Sequence, residues 1–138
     1  MSSLIVDASV ASAWCFPDEE TDYTNGVLRA VSGFLDAIAP RLWAYEVRNS
    51  VLMGVRRGRI SRSHAERFLT SLSGLHVKLT DPLSYDGLFT MADRHGLTVY
   101  DAAYLDLAMR EVLPLASLDK ALRKAAVKSG ILLFDPQG

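Results

Sequence analysis

Apolar runs and half-apolar helical stripes alternate along the chain, and each change of period marks an element. Leu4-Ile5-Val6 is a continuous apolar run, the pattern of a parallel strand buried on both faces, and it stops abruptly at Asp7. Ala8 to Phe16 is small and apolar and suits a short helix that Pro17-Asp18 breaks; a second helix is expected from about Glu19 to Val31. Ala37-Ile38-Ala39 reads as a strand ended by Pro40, a residue suited to a helix start. Trp43, Val47, Val51 and Val55 then recur at i+4 as a core stripe, with Glu46 and Asn49 on a neighbouring edge and Gly58 as terminator.

Ser63-His64-Ala65-Glu66 has the form of a capping box, opening a helix with Ala65, Phe68, Leu69 and Leu72 inward and Gly74 at its end. Leu75 to Leu79 alternates apolar and polar, as a half-exposed edge strand does. Asp81-Pro82 reads as an N-cap and first helical residue of a helix running to Gly96. Another helix starts at Asp101 and carries Tyr104, Leu105, Ala108 and Val112 on one side; Leu115 to Leu118 is a strand, Lys120 to Ser129 a helix before Gly130, and Ile131 to Phe134 a last strand. Strands alternating with helices predict an α/β fold, a mostly parallel sheet with helices on both sides.

Composition narrows the class. The chain has 138 residues, 49% hydrophobic and 22% charged, which fits one globular domain spanning 1–138 without staples. Cys15 stands alone and no disulfide can form within the chain; with no signal-peptide pattern and no apolar stretch of about 20 residues, a cytoplasmic, non-membrane protein is expected. The net charge of -1 is unevenly spread: seven arginines lie between Arg41 and Arg67 against Glu46 and Glu66, while Asp18, Glu19, Glu20 and Asp22 form an acidic run. Each run is open to two readings, a solvated face or, for the arginines, phosphate contact.

Four acids fall where elements begin or end: Asp7, Glu46, Asp101 and Asp119. Singly, Asp101 and Asp119 could be N-caps and Glu46 a first-turn partner of the helix dipole. Asp7 has the fewest such uses. Carboxylates brought together raise one another's pKa, and a divalent cation relieves that conflict; an all-oxygen set suits Mg2+ or Mn2+. The three histidines are isolated and no zinc pattern is visible. A haloacid-dehalogenase-like phosphatase would need a second Asp where Ser9 stands.

The blocks Ile5-Val6-Asp7-Ala8-Ser9, Pro40 to Asn49, Tyr100 to Ala108 and Ala116 to Leu122 resemble, in order, the motifs of the PIN-domain ribonucleases, with VapC-type toxins of prokaryotic toxin-antitoxin pairs the nearest likeness. The resemblance implies a three-layer α/β/α fold with strand order 3-2-1-4-5. It makes Asp7, Glu46, Asp101 and Asp119 an acidic quartet that binds Mg2+ or Mn2+, supported by Ser9, Asn49 and Ser117. It implies hydrolysis of RNA, a homodimer and a cognate antitoxin; the apolar Trp14, Phe16 and helix from Ser63 to Leu72 are open to two uses, core packing, which is favoured, or partner contact. A PIN nuclease of RNA processing without a toxin role and a non-catalytic binding module are the alternatives.

Overall fold

A computed structural model describes residues 3–137. Its order is β1 (Ser3–Val6), α1 (Ala8–Ala13), a 3-10 turn (Pro17–Glu19), α2 (Asp22–Gly33), β2 (Asp36–Pro40), α3 (Leu42–Arg56), α4 (Arg62–Ser73), β3 (Val77–Thr80), α5 (Tyr85–His95), α6 (Val99–Glu111), β4 (Leu115–Ala116) and α7 (Lys120–Lys128). The four strands lie in the order β3-β2-β1-β4, all parallel. The expected 3-2-1-4 succession is present. The fifth strand is reduced to a single bridge, Leu133 against Leu115, flanked by the bonds Leu115 N–H to Leu132 O and Phe134 N–H to Leu115 O.

β1 is central, and Leu4, Ile5 and Val6 are wholly buried, as a strand covered on both faces must be. α6 packs over β1 and β2, with α5 and α7 against it; α1 packs on α2 and α3, and α3 on β2 and α4. The result is a three-layer α/β/α arrangement. The stripe on α3 holds for Trp43, Val47 and Val51, which are buried. Gly54 continues it because the Phe16 ring lies where a Cβ would stand.

Where helix starts differ from the sequence reading, α3 apart, the residue whose hydroxyl reaches the N3 amide is the cap, wherever else a cap-like residue lies nearby. Ser61, rather than Ser63, accepts from His64 N–H at 3.0 Å and opens α4. Ser84, rather than Asp81, accepts from Gly87 N–H at 3.0 Å, so α5 begins at Tyr85 and Asp81 instead pairs with Arg41. Thr98 caps α6, which moves Asp101 one turn in. Pro40 belongs to β2, opposite Thr80, and α3 starts two residues later. Acidic Glu19 lies in the 3-10 turn, and α2 begins after Thr21, which forms a capping box with Thr24.

Candidate active site

Asp7 is the first residue past β1 and the N-cap of α1, so a strand end and a helix start fix its backbone together. Its N–H donates to Ala116 O at 3.1 Å, extending the β1–β4 pairing by one residue. The carboxylate is only 4% exposed yet fully engaged: Oδ1 accepts from Ser9 Oγ at 2.6 Å and Val10 N–H at 3.0 Å, and Oδ2 accepts from Ser117 Oγ at 2.5 Å. Each serine is held in turn. Ser9 Oγ accepts from Leu118 N–H at 2.9 Å, and Ser117 Oγ accepts from Asp119 N–H at 3.0 Å. Arg123 donates to Ser117 O at 2.9 Å, so one cation of the last helix faces inward to brace this loop. Asp119 caps α7, accepting from Leu122 N–H at 2.8 Å.

Glu46 and Asp101 come from α3 and α6 on the helical side. Glu46 Oε1 accepts from the buried Tyr104 hydroxyl at 2.6 Å. Tyr104 is the functional residue that the sequence reading assigned only to packing; its position one turn after Asp101 was the available signal, because i and i+3 share a helix face. Asp101 sits at N3 of α6, where its carboxylate complements the helix dipole.

The electrostatics tie these groups together. Burial, and then the charge of Asp101, push the Asp7 carboxyl above its ordinary value, outweighing three hydrogen bonds that pull it down. Glu46 is raised first by burial and then by Asp101 and Asp7, against the opposing Tyr104 bond. Asp101 is raised by burial and by Asp119. The Tyr104 hydroxyl is pushed strongly upward by burial and by Glu46, and holds its proton as a donor. All four acids therefore belong to one field centred on Asp101.

A cleft of about 470 Å³ opens beside them; of the four acids Glu46 and Asp119 line it, with Ser9, Ser50, Glu19 and Leu118, while Asp7 and Asp101 are not on its wall. Ser50, one turn beyond Glu46, lines it. Asn49 is exposed and has no side-chain hydrogen bond among the described residues. The donor set fits a hard divalent cation: oxygen atoms only, with raised carboxyl pKa values that such a cation would bring down. Among the described residues no three His, Cys, Asp or Glu side chains close on a single point.

The parallel sheet, the carboxylate at its central strand end and the facing acids on two helices define the class. The family model of the PIN domain matches residues 4–128, and the chain belongs to that family. It is 36% identical over 123 residues to Ribonuclease VapC3 of Pyrobaculum aerophilum, a match covering 86% of this chain and 91% of that protein. Two solved structures share the fold. The crystal structure of PAE2754 from Pyrobaculum aerophilum aligns with TM-score 0.70 and 24% identity over 90% of this chain and 84% of that one. That of FitAcB from Neisseria gonorrhoeae aligns with TM-score 0.64 and 17% identity over 97% and 98%.

Proposed function

We propose that the chain is one PIN domain over 1–138 acting as a VapC-like endoribonuclease toxin, hydrolysing RNA phosphodiester bonds with Mg2+ or Mn2+. The observation that carries this is the placing of Asp7 at the carboxyl end of the central parallel strand, held by Ser9 and Ser117, with Glu46 and Asp119 on the cleft beside it. The similarity to Ribonuclease VapC3 supports the same activity.

Asp7, Glu46, Asp101 and Asp119 would hold the cation, which supplies an activated water and neutralises charge on the phosphate. The chain's own part is to orient those oxygens. Ser9 and Ser117 fix the two Asp7 oxygens from opposite sides, and Tyr104 fixes Glu46. Asn49, exposed on the same helix as Glu46, would help orient the cation's ligands once the site is loaded. Loss of a proton from the acids is what readies the site, so burial that raises their pKa also makes cation binding proton-linked.

The VapC likeness adds a cognate antitoxin, a homodimer and a cytoplasmic setting. An apolar cavity of about 480 Å³ between α2 and α4, lined by Trp14, Leu28, Phe68, Leu72 and Leu75, supports a seat for an antitoxin segment. Phe16, a candidate for that surface or for the core, is 2% exposed and serves the core. No described helix is long and apolar enough to cross a membrane.

The test is to incubate purified protein with a total RNA pool, with Mg2+, with Mn2+ and with chelator, beside Asp101→Asn, and to map product ends. Cuts carrying a 5'-phosphate that require the metal and vanish in the variant are expected. Undiminished cutting by folded Asp101→Asn would overturn the assignment.

A further inference from the structure

The acidic run at Asp18-Glu19-Glu20 does not belong to the quartet, yet Glu19 reaches the same cleft wall as Ser9, Glu46 and Asp119. Its aim is fixed from the core outward. Gly54 leaves room for the Phe16 ring; the ring carries the Arg59 guanidinium 4.0 Å from its centroid; and Arg59 Nη2 donates to Glu19 Oε2 at 2.8 Å and to Asp18 Oδ1 at 2.9 Å. A partly exposed ion pair of this kind adds little stability, so stability does not account for an acid placed there.

An unpaired carboxylate would also repel a polyanion entering the cleft. Arg59 offsets that charge while using only one oxygen, and Oε1 has no hydrogen-bond partner among the described residues. The cleft thus offers an acceptor that cannot donate. Leu118, 41% exposed, adds an apolar surface to the same cleft. Proteins read the unstacked bases of single-stranded RNA by hydrogen bonds to their edges, for which a fixed acceptor on the cleft wall is suited.

We propose that Glu19, positioned by Arg59, is a specificity-determining residue that accepts a hydrogen bond from the amino group of a base beside the scissile phosphate. Adenine, cytosine and guanine carry such a group; uracil offers only its N3–H, flanked on both sides by carbonyl oxygens that repel a carboxylate. This inference rests on the ribonuclease reading above.

Random-sequence RNA is cleaved with Mg2+ or Mn2+ by the wild-type protein, Glu19→Gln and Glu19→Ala, and nucleotide frequencies are tabulated at each position around the cuts. The wild type should deplete uridine at one position. Glu19→Gln, whose amide can also donate, should raise uridine there by about tenfold, the scale of one hydrogen bond to a charged group, and Glu19→Ala should flatten that position alone. A uniform change in rate with an unchanged profile, or a wild-type profile with no uridine depletion, would overturn the proposal while leaving the ribonuclease intact. A wild-type protein that cuts no RNA under any metal would bring down the ribonuclease reading first, and this one with it.

Discussion

The two sides of the cleft hold their acids differently. On the strand side, Asp7 and Asp119 sit in a closed web of two serines and four backbone amides, and every atom of the web comes from the β1 and β4 ends or the helix starts that follow them. On the helix side, Glu46 has one bond, to Tyr104, and Asp101 relies on its place in the first turn of α6. Backbone amides do not rotate, so the strand side is preorganised. The helix side can adjust to what enters, because long side chains on helix faces keep rotamer freedom.

Four experiments probe that difference, the largest effect first. Asp7→Asn should lower the cleavage rate by about a thousandfold or more, the several kcal/mol expected of a lost charged contact to a catalytic cation. Its thermal midpoint should hold or rise, since burial makes the Asp7 charge costly. A collapse of the midpoint in a melting scan would mean that the charge itself holds the fold.

Ser117→Ala comes next. It removes the donor to Asp7 from a wholly buried position and leaves the part-buried Asp119 N–H without its acceptor, which should cost about 1–3 kcal/mol in denaturant unfolding and roughly 10- to 100-fold in activity or metal affinity. Tyr104→Phe keeps the packing and deletes the hydroxyl alone. About 1 kcal/mol of stability and a smaller loss of activity than Ser117→Ala are expected on this more adaptable side. An equal or greater loss of activity, measured side by side, would erase the contrast between the two sides.

The smallest effect is on metal-free stability against pH. Asp7, Glu46 and Asp101 have folded-state pKa values raised above the ordinary 3.8 to 4.5. Their neutral forms favour the fold, so this stability is fully present below the unfolded values and is lost as pH rises through the raised ones. Melting scans of chelated protein should therefore show a falling midpoint above pH 4, and Mg2+ should restore it at neutral pH. A midpoint indifferent to Mg2+ at pH 7.5 would argue against a cation in the cleft.

Much of this was open to inspection in the chain. Leu4-Ile5-Val6 reads as buried on both faces because nothing polar interrupts it, which puts Asp7 at the end of a buried parallel strand; that the strand is central was implied by the family resemblance. The order of elements followed from the alternation of periods, and the PIN-like blocks marked the four acids. Element starts were less legible where two cap-forming residues lay close together, as with Ser61 and Ser63 or Asp81 and Ser84, since only the folded backbone selects which hydroxyl meets an amide. The last strand shrank to one bridge because Ile131 to Phe134 pairs on one side only, against a β4 two residues long.

The sequence by itself determined the alternating α/β elements, the buried first strand and the chemical character of the acids, because periodicity and residue type are local properties. Only the tertiary structure decided which atoms meet: that Ser117, 110 residues from Asp7, closes its web, that Tyr104 reaches back to Glu46, and that Arg59 pairs with Glu19. Those contacts join distant segments through the sheet register and helix packing, and no window along the chain contains both partners.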